Sequence, residues 1–431
     1  MIFTRNILCV LAAAAAVSLS AEAAVRESVT PSVHGLSVPL MRDNLITQKL
    51  GGRILNLDLW AGEFAGYDSN VFSTRSAKRS SMINTSAGGF VLQARQSGTW
   101  GLTMQGQIER VNYKSVHSAN RTQGRVRASA DASFSPALSV HGSAGYSRGF
   151  DRIREQSRFY RINRYHAGTG LTLSPTPYLS VSADYGFAAN RRTDRVLKYA
   201  EYDRHTVSLR PSYRITDHTS TYVLLAASKI SMQERHYSDS TNLSALWGLS
   251  WNYRETGVTA ELGATVMRFE SNGNRSLVDE VGKNKTAPRL SLAGGLCPWQ
   301  DWRIRAAASW SSAIGADSTN TPHSAYFEVK RVSAEIGYSP NAGYIPFENR
   351  SIHESLGAAR FVLSVSPFYA KVSPSSSRDA SWREFGGELK GSYKAADWIS
   401  ISAKYLFTNT KFNDDARFYK HQVMLGLALT I

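Results

Sequence analysis

The sequence has almost no cysteine and no long apolar run beyond its N-terminal region. Of its 431 residues, only Cys9 and Cys297 are cysteines, and Cys9 falls in the segment interpreted below as a signal peptide. An intramolecular disulfide is therefore excluded from the mature chain. Mean hydropathy is −0.29, and no later segment approaches the roughly 18 consecutive apolar residues of a membrane helix. Transmembrane helices are excluded as well.

Signals of catalysis and metal binding are also scarce. The H-E-x-x-H zinc motif does not occur, and the ten histidines do not cluster at ligand spacing. His141 and His166 are predicted to face the inside of the fold as hydrogen-bonded wall residues, since neither has an identifiable serine and acidic partner. We therefore predict no catalytic residue, no metal site, no cofactor and no enzymatic activity.

What the sequence does contain is a long series of segments in which apolar and polar side chains alternate. From Arg53 onward these segments run for about ten to fourteen residues. In one of them Ile399 and Ile401 point one way while Ser400 and Ser402 point the other. Strands of a soluble sandwich average five or six residues. The pattern predicts an all-β, transmembrane, antiparallel β-barrel of about 18 strands, with 16 as the alternative.

The connections between these segments alternate between two kinds. Short turns on one side and long polar loops on the other are typical of barrels in the outer membrane of Gram-negative bacteria, which is the predicted location. The stretch Ser339 to Ala358 is long for a turn, and its role stays open. The short connections are Ser135 to Ala137, Ser174 to Pro177, Thr216 to His218, Arg254 to Thr256, Pro298 to Asp301 and Ala395 to Asp397. The long ones are Asp68 to Ser80, Lys114 to Arg121, Asp151 to Arg158, Arg191 to Tyr202, Glu270 to Lys285, Ala313 to Ser324 and Pro374 to Ser381.

The predicted inward face carries more basic than acidic side chains, in keeping with a formal net charge of +16. A barrel of 18 strands is too wide for side chains to fill, so a water-filled pore that favours anions is expected. Pairing with inward carboxylates into cross-strand ion pairs is the open alternative. A nucleic-acid partner is not expected. The predicted pore-lining basic residues are Arg125, Arg127, Arg164, Arg204, Arg210, Arg214, Arg303, Arg305 and Lys404.

A second basic set lies in the predicted long loops. These residues favour contact with outer-membrane lipid and lipopolysaccharide as partners, whereas recruitment of an anionic ligand from outside stays open. They are Arg152, Arg154, Arg158, Arg161, Arg191, Arg192, Arg195, Lys198, Lys283 and Lys285.

The N-terminal region has the pattern of a secretory signal peptide. Arg5 supplies the positive part, Ile7 to Leu19 the apolar part, and Ala21-Glu22-Ala23 an A-x-A cleavage site. The predicted organisation is a signal peptide over residues 1–23, a periplasmic leader over residues 24–50 and the barrel over residues 51–431.

The stretch Gly66-Tyr67-Asp68-Ser69-Asn70-Val71-Phe72, at the end of the first long segment, resembles the beta-barrel porin 2 family. Its members carry D-x-N and apolar residues near the N-terminus, here Asp68 and Asn70, followed by a series of hairpins. The resemblance spans most of the chain from about residue 50 onward. It implies an outer-membrane barrel that accompanies an exopolysaccharide export system. From the residues alone, Asp68 and Asn70 cap and turn the first loop.

The final strand, His421 to Ile431, looks like the insertion signal that the barrel-assembly machinery reads, with Gly426, Leu429 and Ile431 at the required alternation. It departs from the usual pattern by ending on isoleucine rather than phenylalanine and by placing Met424 where a polar residue is usual. That machinery is a predicted partner.

These observations together predict a passive, anion-biased, porin-like channel that does not make or break bonds. Solutes would pass Arg204, Arg210, Arg214, Arg303 and Arg305, and the family resemblance adds an exopolysaccharide conduit. A general small-solute diffusion porin, a closed structural or adhesive barrel and a soluble secreted lectin are the alternatives. The solute, the oligomeric state and the gating of the pore are not specified by the sequence.

Overall fold

Eighteen long antiparallel strands, β4 to β21, close into a single barrel in the computed structural model, which confirms the predicted fold and strand count. The structure describes residues 32–34, 36–38, 48–50, 53–72, 79–96, 99–152, 159–192, 201–233, 239–270, 284–314, 324–340, 359–376, 380–413 and 417–430. No helix among these residues is long and apolar enough to span a membrane.

The elements are, in chain order, β1 (Ser32–Val33), β2 (Leu36–Ser37), β3 (Gln48–Leu50), β4 (Arg53–Asp68), β5 (Ser81–Gln96), β6 (Trp100–Tyr113), a 3₁₀ turn (His117–Ala119), β7 (Arg121–Ser135), β8 (Leu138–Arg152), β9 (Phe159–Leu173), β10 (Leu179–Arg192), β11 (Tyr202–Arg214), β12 (Thr219–Met232), β13 (Ser240–Tyr253), β14 (Thr256–Phe269), β15 (Asn284–Trp299), β16 (Trp302–Ile314), β17 (Tyr326–Tyr338), β18 (Phe361–Pro374), β19 (Trp382–Ala396), β20 (Ile399–Phe412) and β21 (Arg417–Thr430).

The two faces of the barrel wall differ in chemistry because side chains alternate along each strand. On the outer face large apolar side chains are open to the surroundings; Leu425, for example, is 58% exposed and Leu262 is 57% exposed. On the inner face charged and polar side chains follow one another. An apolar exterior around a polar interior is the arrangement of a barrel that spans the outer membrane, which is the location of this protein.

The connections follow the alternation seen in the sequence. The turn between β13 and β14 is two residues long, and Arg254 adopts a positive φ of 53° there, as tight hairpin turns require. The rim of short turns is the periplasmic rim by this rule, and the rim of long loops is the extracellular one. Within the stretch Ser339 to Ala358, residues 341–358 lie outside the described residues.

The barrel closes between its first and last long strands. β21 pairs with β4 from Trp60 to Asp68, and β3 pairs with the beginning of β4, from Arg53 to Leu55. Both partners therefore lie along the same edge of β4, since β5 occupies the other edge over its whole length. β3 thus covers the periplasmic end of this edge. An unpaired strand edge there would be open to association with other chains.

A short hairpin, β1 and β2, lies inside the barrel against the inner wall. Val33, Leu36 and Val38 have no solvent exposure and belong to a cluster that includes Phe64 and Met424. This hairpin falls within residues 24–50, the segment interpreted from the sequence as a periplasmic leader. Its described residues stand in the lumen, in the half nearer the long loops.

Candidate functional site

The strand register places all nine predicted pore-lining cations on the inner face of the barrel. Directly opposed residues on neighbouring antiparallel strands share a face, and Arg125 opposes Gln107, Arg164 opposes Ser147, and Lys404 opposes Lys390. The other six follow the same parity: Arg127, Arg204, Arg210, Arg214, Arg303 and Arg305.

Four of these arginines point into the lumen with their side chains exposed, and all four lie on the arc from β7 to β11. They are Arg125 on β7, Arg164 on β9, and Arg210 and Arg214 on β11. Arg164 stands near the extracellular end of its strand and Arg214 at the periplasmic end of its own. Exposed guanidinium groups thus occur along the height of one side of the lumen.

Two of these guanidinium groups contact neutral side chains of neighbouring strands. Arg125 donates a hydrogen bond to the amide oxygen of Gln107 at 2.9 Å. Arg210 stacks on the ring of Tyr222, with the guanidinium carbon 3.8 Å from the ring centroid. Tyr222 in turn donates to Glu261 at 2.5 Å. A side chain at Gly248 would collide with the Tyr222 ring, so this glycine makes room for the platform under Arg210.

Two inner carboxylates on or next to this arc have contacts with other side chains. Glu109 accepts hydrogen bonds from the amides of Gln107 and Gln123, the second at 2.8 Å. Asp184 lies 3.0 Å from His141 Nε2. These contacts of Glu109 and Asp184 are made to neutral amides and to a histidine, and not to the four exposed arginines.

Two of the predicted pore-lining cations have structural contacts instead. Arg303 is only 7% exposed and forms an ion pair of 3.1 Å with Glu255 in the periplasmic turn. Lys404 forms an ion pair with Glu388 at 2.5 Å and donates to the carbonyl oxygen of His34 at 2.9 Å. The alternation along a strand predicts which face of the barrel wall carries such residues, but it does not predict their partners on other strands.

A cavity of about 280 Å³ opens on the inner wall across β16 to β20. It combines cations, carboxylates and one aromatic ring, in contrast to the purely basic exposed set on the opposite arc. Its lining includes Arg305, Arg331, Glu335, Phe368, Glu388 and Lys390. Arg331 was not among the residues predicted from the sequence, although its position on the inner face follows from the same parity.

His34 attaches the hairpin to the wall. Its Nε2 lies 2.7 Å from the hydroxyl of Thr85. Burial against the wall, together with the nearby cations Arg121, Lys404 and Lys420, lowers the pKa of His34 to about 4. The imidazole is therefore neutral at pH 7. No signal in the sequence identified this contact, because it joins residues far apart in the chain.

The two motif residues Asp68 and Asn70 lie at the closing seam. Asp68 is 1% exposed, accepts a hydrogen bond from the backbone of Asn70 at 2.9 Å, and forms an ion pair of 2.6 Å with Lys420 on β21. The side chain of Asn70 donates to the carbonyl oxygen of Tyr419 at 3.4 Å. The motif both turns the first loop and attaches the first strand to the last.

We expect Asp68→Ala to lower the free energy of unfolding by about 3 kcal/mol, because it removes a buried carboxylate that pairs with Lys420 and accepts the backbone N–H of Asn70 at the seam. Asp203→Ala is the matched control, since Asp203 pairs with Arg191 at 2.6 Å away from the seam and is more exposed. There the loss should stay below about 1 kcal/mol. The measurement is the denaturant midpoint of heat-modifiable gel migration. Equal losses in both variants would contradict a special role of the seam.

The three predicted assembly-signal residues have different positions. Gly426 faces inward beneath Phe64, whose ring would collide with any side chain at that position. Leu429 faces outward and is 40% exposed. Ile431 lies outside the described residues. Met424, the departure from the usual signal, is completely buried in the cluster that holds the hairpin, so its apolar character has a packing reason.

The stretch Gly145-Tyr146-Ser147-Arg148-Gly149 has the letters of a G-x-S-x-G nucleophile elbow. Such an elbow places its serine on a sharp turn between strand and helix. Here Ser147 lies within β8, opposite Arg125 and Arg164, so the arrangement is that of a wall residue. Among the described residues no group of three or more His, Cys, Asp or Glu side chains could hold a metal ion.

No protein-family model matches the chain, and no curated protein matches it. Several solved outer-membrane proteins are similar in fold. OccK2 (OpdF) from Pseudomonas aeruginosa is 10% identical over 88% of this chain and 98% of its own, with a TM-score of 0.48, and a further structure of it is a complex with glucuronate. OccAB3 from Acinetobacter baumannii and a BenF-like porin from Pseudomonas fluorescens Pf-5 are each 11% identical over 88% of this chain and 99% of their own, with TM-scores of 0.47.

Proposed function

We propose that this barrel is a passive outer-membrane channel that favours anions. The observation that carries the proposal is the set of exposed guanidinium groups of Arg125, Arg164, Arg210 and Arg214 on one side of the lumen. The nearby carboxylates of Glu109, Asp184 and Glu261 contact other side chains than these arginines. A guanidinium can grip a carboxylate or phosphate with two parallel hydrogen bonds and keeps its charge at any physiological pH.

Transport through such a channel needs no chemical step. An anion entering at the extracellular side meets Arg164 and Arg125 first and the pair Arg210 and Arg214 later, so attraction is spread over several weak sites. Conduction requires binding that is favourable enough for entry and weak enough for release. Several separate exposed arginines meet this requirement better than one deep site would.

The proposal extends to the class of solute through the family resemblance stated above. An acidic exopolysaccharide presents repeated carboxylates to which the arginines are suited, and the exposed Arg331, which lies over the Phe368 ring, adds a further guanidinium on the opposite wall. A saccharide conduit would work with an export system in the periplasm. A general diffusion porin would pass small solutes without any partner.

The test is the single-channel conductance of the refolded protein in a planar bilayer under a salt gradient. We expect a steady current with a reversal potential of the sign for anions. Absence of current from protein shown to be inserted would contradict the proposal and favour a closed structural or adhesive barrel.

Charge reversal then tests the assigned arginines. In the double variant Arg210→Glu and Arg214→Glu, we expect the ratio of anion to cation permeability to fall at least about twofold, because two inner cations become anions. The matched control is Arg148→Glu with Arg268→Glu, which changes the net charge equally on the outer face. An unchanged ratio in the first variant, or an equal fall in the control, would show that these arginines do not set selectivity.

A further inference from the structure

Five basic residues stand directly opposite one another across five adjacent strands. The register opposes Lys330 to Lys371, Lys371 to Arg383, Arg383 to Lys411, and Lys411 to Arg417. We call these five residues the cation row. Because neighbouring strands lie about 4.8 Å apart, the row extends over roughly 19 Å of the barrel circumference.

The cation row lies on the outer face near the extracellular rim. Its members alternate with inward residues such as Arg331 on β17 and Glu384 on β19. Arg417 is the first residue of β21, Arg383 is the second of β19, and Lys371 lies close to the end of β18. Four of the five side chains are exposed, and that of Lys371 is partly exposed.

The residues next to the row mark the boundary of the membrane. One position further from the rim, the outer face carries Tyr369, Phe385 and Tyr419, and two positions further still it carries Val365 and Leu389. Aromatic side chains favour the interface between headgroups and acyl chains. The cation row therefore stands at the level of lipid headgroups of the outer leaflet.

Like charges that are directly opposite each other destabilise a sheet. The row repeats this unfavourable pairing four times in succession. In the described part of β17 to β21, Glu328 is the one outward carboxylate, and it accepts a hydrogen bond from the Trp310 indole at 3.3 Å. It also lies at the end of the row, beside Lys330. An external anion with several negative groups would convert this repulsion into attraction.

We propose that the cation row binds the phosphate groups of the phosphorylated glycolipid, lipopolysaccharide, in the outer leaflet. Charge complementarity and the depth of the row support this occupant. The proposal does not depend on whether the pore conducts. Other outer-face cations, such as Arg110, Arg148 and Arg268, oppose neutral residues across the sheet. They provide a matched set of equal charge without the row.

The experiment measures binding of purified lipopolysaccharide to the intact barrel in uncharged detergent. In the triple variant Lys371→Gln, Arg383→Gln and Lys411→Gln, we expect the affinity to fall at least about tenfold, since each cation contributes to attraction at an anionic surface. The triple variant Arg110→Gln, Arg148→Gln and Arg268→Gln should lose less than about threefold. Lipopolysaccharide stripped of phosphate should bind the unchanged protein as weakly as the first variant binds the complete lipid.

Three results would overturn the proposal. They are an unchanged affinity for lipopolysaccharide in the row variant, an equal loss of affinity in the control variant, and an affinity of the unchanged protein that stays the same when phosphate is removed from the lipid. A change of oligomeric state in the row variant, with lipid affinity retained, would assign the row to contact between copies of the chain instead.

A second measurement needs no lipid. In uncharged detergent, the row variant should unfold at the same temperature as the unchanged protein or a higher one, because repulsion is relieved. A clearly lower temperature would contradict the repulsion. If the triple variant does not fold, the single change Arg383→Gln serves both measurements.

Discussion

Deleting residues 32–38 is expected to raise the single-channel conductance about twofold, because the hairpin occupies part of a lumen that a barrel of this size otherwise leaves open to water. Val33, Leu36 and Val38 pack on the inner wall, with Phe64 and Met424 beneath them. The described residues of the hairpin contact the wall at Thr85 on β5 and Lys404 on β20, and the four lumen arginines of β7 to β11 keep exposed side chains.

Point variants separate loss of the hairpin from loss of chain length. Leu36→Asp should reproduce the wider channel, because burying an unpaired carboxylate in the apolar cluster is unfavourable and drives the hairpin off the wall. Leu36→Met is the matched control, since it keeps the apolar character and nearly the volume. The measurement is conductance in symmetric salt. Identical conductance in the unchanged protein and Leu36→Asp would show that the hairpin does not narrow the conducting path.

Acidification is expected to release the same hairpin. The docked His34 has a pKa of about 4, whereas a solvated histidine has one near 6.5. Above pH 6.5 the imidazole is neutral in both states, and docking is at full strength. Between pH 6.5 and 4 only the undocked hairpin takes up the proton, so the equilibrium shifts toward it by at most about 300-fold, and the shift ends below pH 4. Partial water contact of His34 reduces this limit.

The groups that face His34 explain why protonation is unfavourable there. Thr85 on β5 binds the ring, and the cations Arg121 on β7, Lys404 on β20 and Lys420 on β21 surround it. Two of these cations are paired with carboxylates, Lys420 with Asp68 and Lys404 with Glu388. A protonated imidazole would add a further positive charge to three existing ones in a partly buried site.

Conductance measured from pH 7.5 to pH 4 checks this prediction. It should be constant above pH 7 and rise as the pH falls through 6.5. The control is His34→Gln, which can still bind the Thr85 hydroxyl but cannot titrate, so its conductance should not follow pH in this window. The same rise in His34→Gln would assign the pH dependence to other groups of the lumen.

Much of the wall could be predicted from local pattern. Alternation of period two decides which way each side chain points, and it needs only the strand and its phase. Ile399 and Ser400, for instance, have opposite faces whatever their neighbours are. Strand length and the contrast between short turns and long loops are likewise local properties. For this reason the strand count, the two rims and the inward orientation of Arg210 and Arg214 could be predicted from the sequence.

The partners of each side chain could not be predicted from the sequence, because they come from other strands. The sequence grouped Arg303 and Lys404 with Arg210 as lining cations, but the fold pairs Arg303 with Glu255 and Lys404 with Glu388. The literal match at Ser147 to a nucleophile elbow is likewise decided by its position within β8. A side chain's face follows from its own strand, whereas its electrostatic role follows from the strands beside it.

The sequence by itself determined that this chain forms a membrane-spanning β-barrel with a polar, predominantly basic interior, because the period and length of its strands admit few other solutions. Only the tertiary structure decided that Asp68 joins the first strand to the last, that the hairpin around His34 lies in the lumen, and that Lys371, Arg383 and Lys411 oppose one another. Each of these depends on the register between strands or on contacts between distant segments, and cross-strand register arises only when the sheet closes.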